Sequence, residues 1–85
     1  MNHLDGNALA GAFAETLGID ITAATGRCAG CRRVFELAST RSFVTAMGKV
    51  MRCRHCDSVL AVLVSHRREV LVNLSGLSYL TVPRP

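Results

Sequence analysis

Two Cys-x-x-Cys pairs, Cys28/Cys31 and Cys53/Cys56, hold every cysteine of the chain and are separated by the 21 residues 32–52. Two thiolates on a tight turn supply half of a tetrahedral metal site, and a second such turn completes it. The spacer is slightly longer than the common range for paired knuckles, yet it accommodates a hairpin. Gly26 and Gly30 lie just before and inside the first loop, where the backbone must turn tightly, and a strand-like segment precedes each pair. The four sulfurs are therefore expected to meet at one divalent ion, with a single Zn²⁺ held by four thiolates as the first reading. Mononuclear iron in a rubredoxin-like site uses the same spacing. Against iron, the chain has no Trp, one Tyr and three Phe to shield a redox centre. A dithiol redox role is the third alternative; it needs one exposed, low-pKa thiol, and nothing in the sequence marks either pair as reactive.

The need for a metal follows from size. Eighty-five residues make one domain, and chains this short often add a disulfide, a metal or a partner subunit to a thin core. At 49% hydrophobic residues and a mean hydropathy of +0.30 the chain is too apolar to be disordered. Its longest aliphatic run, Val59 to Val64, is six residues, against the roughly 20 needed to cross a bilayer. The start, Met1-Asn2-His3-Leu4-Asp5, lacks a basic region followed by an apolar stretch, so no signal peptide is expected. The expectation is a soluble cytoplasmic protein without membrane contact, in a compartment that keeps thiols reduced.

Charge is concentrated around the cysteines. Residues 1–26 carry −3, residues 27–56 carry +6 and the remainder +1, summing to the net +4. Arg27, Arg32, Arg52 and Arg54 flank the ligand pairs, where cations favour the thiolate form that binds metal; the alternative is an ordinary solvated surface.

Along the chain, residues 1–18 read as an N-terminal helix. Asp5 is placed as its cap, Leu4 and Leu9 as a hydrophobic staple, Leu9, Phe13 and Leu17 as one apolar stripe, and Gly18 as the left-handed stop. Ile19–Thr25 reads as a strand or extended lead-in. Short strands are expected at Val34–Leu37, Ser42–Thr45, Lys49–Arg52, Ser58–Ser65, Glu69–Leu74 and Ser78–Val82. The expected fold is α+β: one helix on a small antiparallel sheet, a rubredoxin-like zinc ribbon with two knuckles. Within this single 1–85 domain, 19–58 is the metal-binding ribbon and 59–83 the C-terminal strands.

The opening His3-Leu4-Asp5-Gly6-Asn7-Ala8-Leu9-Ala10-Gly11, the loops Thr25–Cys31 and Arg52–Cys56, and the late Gly76-Leu77-Ser78-Tyr79-Leu80 together resemble a family of short bacterial, actinobacterial-type proteins of unknown function. The resemblance spans nearly the whole chain. It implies a zinc-ribbon fold with Cys28, Cys31, Cys53 and Cys56 as ligands, and it implies no activity. One departure from the wider zinc-ribbon pattern is Asp57, at a position after the second cysteine that often holds glycine.

His55, inside the second knuckle, is expected to stay outside a tetrahedron that four thiolates already fill. His3 and His66 are isolated and receive no role. No Gly-rich phosphate loop, Ser/His/Asp arrangement or usefully spaced carboxylate pair is present, so an enzyme is not expected. The first functional expectation is a protein-interaction or regulatory module, with an unknown partner or a second copy of itself as a homodimer. Its warrant is Val59–Val64, apolar on both faces in a chain too short to cover both. The second is a nucleic-acid-binding ribbon using Arg32, Arg33, Arg52 and Arg54, although no recognition helix follows either pair. The third is a rubredoxin-like iron electron carrier.

Overall fold

The protein is described by a computed structural model over residues 4–5, 10–18 and 20–83. It is a small α+β fold in which one short helix accompanies two antiparallel sheets. Strands β1 (Leu4–Asp5), β4 (Arg41–Val44), β5 (Lys49–Arg52), β6 (Val59–Ser65) and β7 (Val70–Asn73) form a five-stranded sheet in the order β1-β4-β5-β6-β7. Strands β2 (Thr25–Cys28), β3 (Val34–Glu36) and β8 (Leu77–Thr81) form a three-stranded sheet in the order β3-β2-β8.

The helix α1 covers Ala10–Leu17. Gly18 ends it at φ +68°, its N–H donating to Ala14 O at 3.0 Å, the left-handed stop that only glycine adopts without strain. Of the expected stripe, Phe13 is fully buried whereas Leu17, at the last position of the helix, is 38% exposed. Leu9 lies outside the described residues. Leu4 and Asp5, expected as staple and cap, pair with Ser42 and Arg41 of β4 to form β1, and the residues between them and the helix lie outside the described ones.

The expected strand at Ile19–Thr25 is shorter and starts later. Asp20 accepts a hydrogen bond from Thr22 N at 3.0 Å and caps a 3-10 turn at Ile21–Ala23, so strand pairing begins only at Thr25. Hydrogen bonds donated by the Thr22 hydroxyl and then by its N–H hold the Asp20 carboxyl below its usual pKa. A second 3-10 turn, Leu37–Ser39, is closed by Thr40 Oγ1 donating to Leu37 O at 2.7 Å and feeds β4. Ile21 and Leu37, one from each turn, are both fully buried.

The five-stranded sheet explains how β6 is covered. Ala61 and Leu63 face the core with Met51 and Ser42, while Val62 and Val64 lie on the opposite, half-buried face with Phe43 and Val50. Between Met51 and Arg52 the register slips: β5 advances one residue while β6 goes from Ala61 to Val59. Leu60 is the extra residue of this bulge and is fully buried. Gly76, in the turn from β7 to β8, packs its backbone directly on the bulge, donating from its N–H to Leu60 O at 3.2 Å. A Cβ there would overlap Val59 O and lie 2.6 Å from Leu60 Cα. This close approach turns the chain away from β7 and sends β8 to pair with β2, giving two sheets where a single one was expected.

Candidate metal centre

Each sheet contributes one hairpin end. The first cysteine pair sits in the turn between β2 and β3, the second in the turn between β5 and β6. The two turns share one hydrogen-bond pattern. In the first, Cys28 N donates to Arg33 O at 3.0 Å and Arg32 N to Cys28 O at 2.9 Å; in the second, Cys53 N donates to Ser58 O at 2.8 Å and Asp57 N to Cys53 O at 2.9 Å. The residue after each second cysteine takes up the left-handed conformation, Arg32 at φ +65° and Asp57 at φ +63°. Asp57 therefore makes the turn that glycine often makes at that position, and Arg32 makes the matching one.

The arginine before each first cysteine repeats as well. Arg27 Nε donates to Arg32 O at 3.2 Å and Arg52 Nη1 to Asp57 O at 2.8 Å. Each guanidinium thus ties the carbonyl of its left-handed residue back to the strand entering the knuckle. The Arg52–Asp57 ion pair, at 4.0 Å between groups open to solvent, adds little.

These turns bring the four sulfurs together. Cys28 Sγ lies 3.6 Å from Cys56 Sγ and Cys31 Sγ 3.7 Å from Cys53 Sγ, both contacts running between knuckles, and all four sulfurs lie within 4.8 Å of one another. Sulfurs about 2.3 Å from a common tetrahedral centre would be about 3.8 Å apart. The four cysteines could therefore hold a metal ion, and the donor set, four thiols and no carboxylate, suits a soft or borderline cation. Backbone N–H groups also point at the sulfurs, Cys31 N to Cys28 Sγ at 3.5 Å and His55 N to Cys53 Sγ at 3.4 Å. His55 enters the site through this backbone contact, and its ring is not among the clustered donor atoms.

Burial divides the four cysteines. Cys28 and Cys53 are fully buried, Cys31 is half-buried and Cys56 is exposed. Burial pushes the Cys53 thiol up to about 11. Hydrogen bonds from Ser58, through its hydroxyl and its backbone, draw the Cys56 thiol down to about 6; Cys56 Sγ lies 3.1 Å from Ser58 Oγ. A bound cation would favour the thiolate at every position.

Space around the cluster is tight. A Cβ at Gly30 would stand 2.9 Å from Ser58 Oγ and 3.6 Å from both Cys28 Sγ and Cys56 Sγ, so glycine here leaves room for the opposing knuckle. Gly76 supports the first knuckle from behind, its carbonyl accepting from Ala29 N at 2.9 Å. Sequence reasoning did not single out Ser58 or the structural role of Gly76. It placed Arg27 and Arg52 beside the ligands for their charge, whereas their geometry is that of a backbone latch; the repeated Arg-Cys-x-x-Cys was the available signal. Of the residues put forward as nucleic-acid or partner contacts, Arg32, Arg33 and Arg54 are exposed around the knuckles, and half-buried Arg52 is engaged with Asp57 O.

Among the described residues no helix is long and apolar enough to cross a membrane. A family model described as a family of unknown function (DUF6510) matches residues 1–85. No curated protein and no solved structure matches the chain.

Proposed function

The chain belongs to that family of unknown function, and on this premise we propose that it is a zinc ribbon whose single structural Zn²⁺, held by Cys28, Cys31, Cys53 and Cys56, joins two sheets into a protein-interaction module. The observation that carries the reading is the pair of inter-knuckle sulfur separations, 3.6 and 3.7 Å, which are close to the edge of a zinc-thiolate tetrahedron. When bound, the ion supplies cross-linking rather than chemistry, and the reading contains no catalytic step. Reduced thiols of this kind belong in a cytoplasmic setting.

The interaction role is supported by the outer face of the five-stranded sheet. By register, Phe43, Val50 and Val62 form one row across three strands, with Val64 and Leu71 alongside and Arg41 paired with Arg52 at the rim. None of these seven side chains is buried. A continuous apolar row edged by two cations is the composition of a protein-binding patch, with an apolar centre and a charged rim. Metal analysis of the purified protein, together with its mass by light scattering, tests the reading. One zinc per chain is the expected result. A red, iron-loaded protein would replace zinc with the electron-carrier alternative, and a metal-free, well-folded one would remove the structural role.

A nucleic-acid-binding ribbon is the second reading, favoured by the exposure of Arg32, Arg33 and Arg54 around the two knuckles. It requires affinity for nucleic acid that falls steeply with salt and falls again when Arg32, Arg33, Arg52 and Arg54 are changed to alanine.

A further inference from the structure

The four cysteines of the cluster differ in exposure, and this asymmetry implies an order of reaction. Cys28 and Cys53 are at 0% exposure, Cys31 is half-buried, and Cys56 is the most exposed of the four. Across the site, the sulfur of buried Cys28, from the other knuckle, lies 3.6 Å from that of Cys56. A reagent too polar to enter the core meets Cys56 first, and the group positioned to react next with a modified Cys56 comes from the other sheet.

We propose that Cys56 is a modification site for hydroperoxides, resolved by Cys28 into a disulfide that links the two knuckles and releases the metal. The inference rests on the metal-binding reading above. In the first step the Cys56 thiolate attacks one peroxide oxygen; the O–O bond breaks, Cys56 becomes a sulfenic acid and hydroxide leaves (or water or alcohol, after protonation). In the second step the Cys28 thiolate attacks the Cys56 sulfur, the S–O bond breaks, the S–S bond forms and a second hydroxide leaves. The two thiolates together lose two electrons and the peroxide gains them. Two of four ligands are then gone, and Cys31 and Cys53 alone do not hold a structural ion.

Geometry decides what this oxidation does to the fold. A Cys28–Cys56 bond replaces the metal as the link between the two sheets, whereas Cys53–Cys56 or Cys28–Cys31 bonds would each stay inside one turn and leave the sheets unlinked. The sulfurs must close from 3.6 Å to about 2.05 Å, a movement the exposed Cys56 side chain can supply. Cys31 and Cys53, 3.7 Å apart, can make the second inter-knuckle bond with a second equivalent of peroxide.

The test treats the zinc-loaded full chain with one equivalent of hydrogen peroxide. It follows metal release with a chromogenic chelator and maps the products by peptide mass spectrometry, with dimedone present to trap sulfenic acid. The expected result is a dimedone adduct at Cys56, a Cys28–Cys56 disulfide when dimedone is omitted, zinc release in step with it, and recovery with dithiothreitol and zinc. Cys56→His keeps a fourth ligand while removing the reacting sulfur, and should slow release by more than tenfold. First adducts at Cys31, an intra-knuckle Cys53–Cys56 product, or unchanged release from the histidine variant would overturn the proposal. The same mapping on protein purified without metal separates the two ideas: absent zinc counts against the metal reading, while the order of thiol modification still decides this one.

Discussion

At the scale of single residues, the backbone demands of the two knuckles and of the bulge beside them set the sharpest constraints. Gly76 has no room for a side chain, because a Cβ would overlap Val59 O and Leu60 Cα, both backbone atoms that cannot swing aside. Gly76→Ala is expected to destabilise the metal-loaded protein by about 3 kcal/mol, the upper end of overpacking costs, measured by urea unfolding. Arg32 and Asp57 hold left-handed φ angles that cost a side-chain-bearing residue about 1–2 kcal/mol, less for Asp than for Arg. Arg32→Gly should therefore raise stability by about 1 kcal/mol, and Asp57→Gly by less, in the same experiment. Titration of the thiols gives a pH prediction. Cys53, pushed up to about 11, must surrender its proton to bind metal, so apparent zinc affinity should climb as pH rises toward 11. Cys56, drawn down to about 6, is already ionised through most of that range and adds its own loss of affinity only as pH falls through 6. Competition titrations with a metal indicator at several pH values would show a steeper fall on the acid side.

At the scale of elements, each knuckle is a hairpin end fastened by an arginine. Arg27→Leu and Arg52→Leu each remove one hydrogen bond to the left-handed carbonyl. Each should weaken zinc binding about fivefold, equivalent to about 1 kcal/mol, with the double variant close to additive because the latches serve separate turns. Much of this level was legible in the sequence. Lys49–Arg52 was expected and is β5 to the residue, and β6 and β7 fall within a residue of the expected runs, because β-branched segments bounded by polar turns leave few alternatives. The approach of the two cysteine pairs was legible too, since two Cys-x-x-Cys turns holding every cysteine match the spacing of a four-thiolate site. The lead-in at Ile19–Thr25 misled because Asp20 is a local cap, and side chain-to-backbone bonds of that kind compete with β propensity. The placing of Leu4 and Asp5 in a strand depends on pairing with residues 41 and 42, far along the chain, which no local pattern at the N-terminus reveals. Gly76 read as simple punctuation; its importance comes from a bulge more than a dozen residues upstream.

At the scale of the whole molecule, the two sheets meet at the sulfur cluster, over a shared buried core and at the Gly76 contact behind the first knuckle. Structural zinc contributes roughly 10–16 kcal/mol of apparent folding free energy in small domains, as much as or more than the roughly 5–15 kcal/mol by which whole proteins are stable. Stripping the metal with a strong chelator should abolish cooperative unfolding. In hydrogen exchange, protection should vanish first around both knuckles and persist longest in the β5–β6 ladder. The sulfur donors come in two local halves, one on each of two hairpins, with 21 residues between them. A chain midway through folding consequently owns at best half a socket, two sulfurs that grip an ion weakly, and full grip arrives only once both hairpins have found each other. On the proposed metal reading, the ion thus acts as a late checkpoint on assembly: it rewards the correct meeting of the halves and gives little support to either one alone.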